Sequence, residues 1–130
     1  MTAKTLAKKI ATFALAKKAS DVLILDVRKL TDVTDFFVVS TADSEVQVKA
    51  VADEIAEGIE KAGARLWHSE GISQRQWVLL DYVDVVAHVF HKEARAFYAL
   101  EKLWGDAKVE RVEDKPPVRK ARKKTSTKVN

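Results

Sequence analysis

Residues Arg75 to Phe90 read RQWVLLDYVDVVAHVF, the most apolar run of the chain, and such a run admits few folds. Asp81 and Asp84 interrupt it near the middle. Asp accepts backbone N–H bonds in turns, so the run predicts a β-hairpin with Asp81 to Asp84 as its turn. Leu80 then faces Val85, and each step outward pairs residues whose numbers sum to 165. Directly opposed residues share a face of the sheet. One face therefore holds Val78, Leu80, Val85, Ala87 and Val89; it is wholly aliphatic and predicts core. The other holds Trp77, Leu79, Val86 and His88, with Asp81 and Asp84 at the turn end. Left open, that second face has the make-up of a binding surface, an aromatic anchor with a polar rim. Packed under a helix, the same Trp77 is ordinary core.

The rest of the chain supplies what such a hairpin packs against. Leu6, Ile10 and Phe13 with Ala14 recur at helical spacing, with Lys on the other faces, and predict a first amphipathic helix. Two strands follow, Val22–Arg28 and Phe36–Thr41, joined by the short connection Thr31–Asp35. Asp43 or Ser44 caps a helix whose buried stripe is Val48, Val51, Ile55 and Ile59, and Gly63 is placed to end it. Arg65–Ser69 reads as a short third strand and Glu70–Gln74, with Gly71, as a loop. After the hairpin strands, Gln76–Leu80 and Val85–Phe90, a helix runs from Lys92 to Trp104 and Gly105 ends it. It presents Ala94, Phe97, Leu100 and Trp104 on one side, while Tyr98 and Glu101 lie on the neighbouring face with Arg95 between them. Lys108–Val112 fits a last edge strand. The order is α-β-β-α-β-β-β-α, an α/β sandwich with a mixed sheet, in one domain over residues 1–112. Residues 113–130 form a basic tail whose composition, after Pro116-Pro117, predicts disorder.

Charge divides the chain. From Lys115 onward there are seven bases and no acid, so the remainder holds sixteen bases against all nineteen acids, a net of −3 within an overall +4. An acidic body does not lie flat on phosphate, whereas a tail carrying Arg119, Lys120, Arg122, Lys123 and Lys124 can touch nucleic acid without reading sequence. There is no cysteine, which excludes disulfides and thiolate metal sites. No apolar run approaches the ~20 residues that a membrane helix requires. The acid-free first nineteen residues carry five lysines but no Arg, so a surface helix is expected there and not an import signal. His88 and His91 lack a third metal ligand nearby in sequence, and nothing beside Asp81 and Asp84 suggests a nucleophile. No metal, cofactor or catalytic site is predicted.

Three stretches in register resemble the ribosomal silencing factor family, RsfS or Iojap-like proteins: DVLILDVRKLTDVTDFFVVSTADSEVQVKAVADEI, WVLLDYVDVVAHVF and EARAFYALEKLW. The resemblance spans Ala3 to Val112 and leaves out the basic tail. It implies a nucleotidyltransferase-like fold without the catalytic site. The residues agree, since Thr41-Ala-Asp-Ser44 lacks the Gly-Ser of such enzymes and no Asp-x-Asp pair occurs. It implies a non-enzymatic cytoplasmic protein that docks on the large ribosomal subunit, at the universal ribosomal protein numbered fourteen. There it blocks small-subunit joining, lowers translation under nutrient limitation and favours late large-subunit assembly. By matching position, the partner-facing residues are Trp77, Asp81, Asp84 and His88, with Tyr98 and Glu101 extending the surface. A homodimer of the free protein, hiding the Trp77 face, and contact of the tail with ribosomal RNA are further expectations. The competing reading is an RNA-binding or large-subunit assembly protein driven by the tail. The chain departs from the family pattern at Ala42-Asp43, at Phe36 and at Val83. Val83 stands where the family commonly has Gly, and a β-branched residue does not take a positive φ cheaply. A different turn type or a shifted loop is therefore expected there.

Overall fold

The computed structural model describes residues 1–98, leaving aside the side chains of 96–98, and residues 105–113. In chain order the elements are α1 (Ala3–Ala16), β1 (Ser20–Asp26), β2 (Phe36–Ala42), α2 (Glu45–Lys61), β3 (His68–Glu70), β4 (Trp77–Asp81), β5 (Val85–His91), α3 (Lys92–Tyr98) and β6 (Lys108–Val112). These six strands form one sheet in the order β3-β4-β5-β2-β1-β6. Among them, β2 and β5 run parallel and every other neighbouring pair is antiparallel, so the sheet is mixed as the pattern of elements predicts.

Both long helices pack on one face of this sheet, and their sequences explain why. In α1 the side chain of Thr2 accepts the backbone N–H of Thr5, and Leu6, Ala7, Ile10, Ala11 and Ala14 are buried. Phe13 sits against Gly58 of α2, so near that a Cβ on Gly58 would fall 2.5 Å from the Phe13 ring tip. In α2 the Ser44 hydroxyl accepts the Gln47 N–H at 3.1 Å, which satisfies one of the orphan donors of the first turn. The Gln47 amide in turn donates to the Lys17 and Lys18 carbonyls, tying the end of α1 to the start of α2. Val48, Val51, Ile55 and Ile59 are buried as their spacing predicts. Gly63, at φ 99, takes the left-handed conformation that follows the helix end.

The helical layer covers the sheet face made by Val22, Ile24, Phe36, Val38, Val78, Leu80, Val85, Ala87 and Val89. The opposite face gathers Leu23, Leu25, Val27, Val39 and Phe90 with Ala94 of α3. Arg95 anchors the first turn of α3 by donating to the Asp21 carbonyl at 3.0 Å and to the Thr41 hydroxyl. The expected continuation of this helix beyond Tyr98, through Leu100, Glu101 and Trp104, lies outside the described residues, as does the Phe97 side chain.

The hairpin departs from the expected register in an informative way. Leu80 pairs with Ala87, Val78 with Val89 and Trp77 with Phe90, so pair numbers sum to 167 and not 165. A slip of two preserves the side-chain alternation, and each residue stays on its predicted face. What changes is the turn. It closes between Tyr82 and Val85, whose N–H and carbonyl bond at 2.9 Å, leaving Val83 and Asp84 at the tip. Asp81 belongs to β4 instead of the turn. Contrary to expectation, Val83 does adopt a positive φ, 75°, and Asp84 N–H bonds the Tyr82 carbonyl at 2.9 Å, a γ-turn. The strain is held in place from both sides. The Asp81 carboxylate accepts Val83 N–H at 2.7 Å, and the Asp84 carbonyl accepts the N–H groups of Asp35 and Phe36 at the start of β2. The third strand is also later and shorter than predicted, His68–Glu70 in place of Arg65–Ser69, because its position is set by pairing with β4 and not by any apolar pattern of its own.

Relieving the turn should stabilise the protein. Val83→Gly is expected to raise the unfolding free energy by about 1 kcal/mol, the released strain exceeding glycine's entropic cost. Urea unfolding checks this; an unchanged or lower midpoint would show that Val83 carries no strain.

Candidate partner interface

The outer face of β4 and β5 is where the sequence places its candidate surface, and the two strands supply it unequally. On β5, Val86, His88 and Phe90 are buried. On β4, Trp77, Leu79 and Asp81 remain partly exposed. The reason lies in what packs on each strand. β5 is central, with α1 and α2 on one face and Ala94 of α3, Phe37 and Trp77 gathered about Phe90 on the other, while β4 is one strand from the sheet edge.

Trp77 is a half-buried side chain with defined neighbours. Its indole N–H donates to His88 Nδ1 at 2.9 Å. Its ring stacks on Phe90, with centroids 5.0 Å apart and planes 25° from parallel. Such an aromatic pair contributes about 0.5–1.5 kcal/mol beyond its buried area. Gly71 fixes the chain beside it. At φ 80, its missing Cβ would lie 2.0 Å from the Trp77 carbonyl oxygen, so no other residue fits there. Hence the loop before β4 closes directly over the Trp77 backbone.

His88 does not sit on the surface where a contact residue was expected. It is 4% exposed, beneath the indole that it supports. Accepting the indole N–H at Nδ1 requires the neutral ring with its proton on Nε2. That Nε2 is buried without a hydrogen-bond partner. The Phe37 ring stands 5.0 Å away at 84°, edge against face. Burial pushes the imidazole pKa down to about 4, since the charged ring would be desolvated. His91 lies on the other side of the strand, and its Nδ1 accepts Glu93 N–H at 3.3 Å. The two histidines therefore do not converge on a metal. Among the described residues, no group of three His, Cys, Asp or Glu side chains is gathered to hold one.

The polar rim is broader than the sequence reading drew it. Asp81 is partly exposed and Asp84 is exposed at the hairpin tip. His68 pairs across from Asp81 and Glu70 from Leu79, which puts both on this face. They bond each other at 2.8 Å. Phe37, next to the buried His88, is partly exposed and extends the apolar part. Sequence reasoning missed His68, Glu70 and Phe37, because only the pairing of β3 with β4, and of β2 with β5, brings them here. The Tyr98 side chain, Glu101 and the tail residues Arg119, Lys120, Arg122, Lys123 and Lys124 lie outside the described residues. Two surface depressions, of about 450 and 490 Å³, are lined by other residues: one by the end of α2 with Arg65 and Leu66, the other by Asp26, Arg28, Lys29, Leu30, Asp106 and Lys108. Among the described residues, no helix is long and apolar enough to cross a membrane.

The family described as ribosomal silencing factor during starvation, RsfS, matches residues 1–130. The chain belongs to the ribosomal silencing factor family. The Bacillus subtilis ribosomal silencing factor RsfS is 42% identical over 107 residues, which is 82% of this chain and 91% of that protein. RsfS of Halalkalibacterium halodurans is 46% identical over 91 residues, covering 70% of this chain and 78% of that one. A crystal structure of a Chromobacterium violaceum protein superposes with a TM-score of 0.80 at 34% identity, covering 88% of this chain and 95% of that chain. The mixed α/β architecture is thus the architecture of RsfS relatives, and the family assigned from three sequence stretches stands.

The buried imidazole makes stability pH-dependent. Its folded pKa lies below the unfolded value, so as pH falls from about 6.5 the unfolded chain gains a proton that the folded chain refuses until about 4. Stability due to this group is therefore full above that window and declines through it, by roughly 3 kcal/mol in total. Urea unfolding of the wild type and His88→Asn at pH 7, 6, 5 and 4.5 should show the difference between them shrinking or reversing as the pH falls. A difference independent of pH would contradict a buried neutral His88.

Proposed function

We propose that the chain is a non-enzymatic silencer of translation that acts in the cytoplasm by docking on the large ribosomal subunit. Its seat is the universal ribosomal protein numbered fourteen at the subunit-joining face, and the docked domain keeps the small subunit away. The observation that carries this reading is the partly open outer face of β4, where an indole with fixed neighbours sits among Leu79, Phe37 and the carboxylates of Asp81, Asp84 and Glu70. Buried aromatic anchors with polar rims dominate protein–protein affinity. Family membership supplies the ribosome as the place to look.

No reaction is required. A domain with a radius of gyration of ~14 Å, seated at the joining face, excludes the second subunit by volume. What counts is residence time, governed by dissociation. An acidic body, net −3 over residues 1–114, approaches a basic ribosomal protein faster and in a preferred orientation. Asp81 spends one oxygen on the turn and keeps a second for a partner cation. Asp84 is exposed at the hairpin tip, and Tyr98 and Glu101 are proposed as further partner contacts. When the protein is free, a second copy would cover the same face.

Trp77→Ala is expected to weaken large-subunit binding by about 2 kcal/mol, roughly thirtyfold, while the fold survives. Sedimentation of mixed subunits should then show joining restored at protein concentrations where the wild type blocks it. A folded Trp77→Ala protein that still blocks joining would refute the proposed seat.

The seven bases after Lys115 favour an added interaction, in which Arg119, Lys120, Arg122, Lys123 and Lys124 touch ribosomal RNA phosphates and offset the repulsion felt by the acidic body. Deleting residues 115–130 should flatten the salt dependence of subunit binding, by a slope of about 0.7–0.9 for each phosphate that the tail neutralises. An unchanged slope would leave the tail without this role. If the tail alone retained most of the affinity for naked RNA, the RNA-binding reading would replace silencing by docking.

A further inference from the structure

A partly exposed indole is a useful anchor only if it waits in the bound orientation, because ordering a side chain at the moment of binding subtracts from affinity. Among the described residues, the Trp77 indole meets the rings of Phe90 and His88. Phe90 stacks beneath it and sets the plane of the indole. Stacking does not decide how the ring turns within that plane. The bond from the indole N–H to His88 Nδ1, at 2.9 Å, does decide it. Trp77 and His88 lie on adjacent strands, where Leu79 pairs with His88 and Trp77 with Phe90, so this bond runs diagonally across the ladder. His88 itself is 4% exposed and cannot reach a partner without rearrangement. Its second nitrogen makes no hydrogen bond, so the ring is tolerated in the core with one donor unsatisfied. An aliphatic residue would fill that space without an orphan donor. The imidazole therefore calls for a use, and the one hydrogen bond that its ring makes goes to the indole.

We propose that His88 is a positioning residue for partner binding, holding the Trp77 indole in its docking orientation through the Nδ1 acceptor while touching no partner itself. This rests on the reading of Trp77 as the partner-facing anchor. The alternative is that His88 only fills volume. The two differ in which replacement rescues function. His88→Leu fills the space and has no acceptor. His88→Asn has a carbonyl oxygen near the place of Nδ1 and so can still accept the indole N–H.

The full-length protein labelled with ¹⁵N gives three indole N–H resonances, one for each tryptophan, and Trp77→Phe assigns the one that matters. His88→Leu should move that resonance and weaken large-subunit binding about tenfold, the loss of one ordering hydrogen bond, whereas His88→Asn should stay within about threefold of wild type. In a Trp77→Phe background, which lacks the N–H, His88→Leu should cost nothing further. The proposal is overturned if His88→Leu binds like wild type, if His88→Asn binds no better than His88→Leu, or if the two changes add in the double variant. Failure of the underlying reading looks different. Then Trp77→Ala binds like wild type, while the Trp77 resonance still shifts in His88→Leu.

Discussion

Everything in this fold depends on β5 having no exposed face. It runs parallel to β2 on one side and antiparallel to β4 on the other, and Val85 through Phe90 are all buried. Its inward residues, Val85, Ala87 and Val89, need only to be aliphatic to receive α1 and α2. Its outward residues must fill a thinner layer, and there an imidazole stands among aromatic rings. A polar ring in that position is tolerable because its Nδ1 accepts a donor, and the donor comes from the first residue of β4. The central strand thus fixes both the helical core and the indole of β4 left near the surface.

Much of this was legible in the sequence, for identifiable reasons. Helical spacing carries its own information, so the α2 stripe from Val48 to Ile59, the Ser44 cap and the Gly63 stop were all readable. The faces of the hairpin were readable too, because a register slip of two leaves alternation untouched. The register itself was not. It depends on a strained turn at Val83, whose strain is offset by the Asp81 carboxylate and by bonds from the Asp84 carbonyl to the start of β2, which join segments nearly fifty residues apart. Burial on the outer face was legible only in part. His88 and Val86 look like surface when the hairpin is read alone, and become core once β2 and α3 are laid beside it. β3 was legible only as a short strand near Arg65–Ser69; its bounds were not, because this three-residue exposed strand is defined by its partner.

The consequence for function is a division of labour along one face. β4 offers the groups that a partner can reach, namely the indole edge, Leu79 and Asp81, and β3 and the hairpin tip add Glu70, His68 and Asp84. β5 offers none directly and sets the geometry of the rest. Such an arrangement suits a protein whose proposed task is to occupy a surface. It needs a rigid back, which the two-helix layer provides, and a pre-set front. It also explains why Gly71 has to be glycine, since any side chain there would displace the backbone of Trp77 and with it the front of the molecule.

Amide hydrogen exchange of the protein bound to isolated large subunits tests the account most directly. The account predicts new protection along His68–Glu70, Trp77–Asp81 and the Val83–Asp84 tip, with the solvent-facing sides of α1 and α2 exchanging as they do in the free protein. Protection confined to those helices, with β4 and the hairpin tip unchanged, would contradict it.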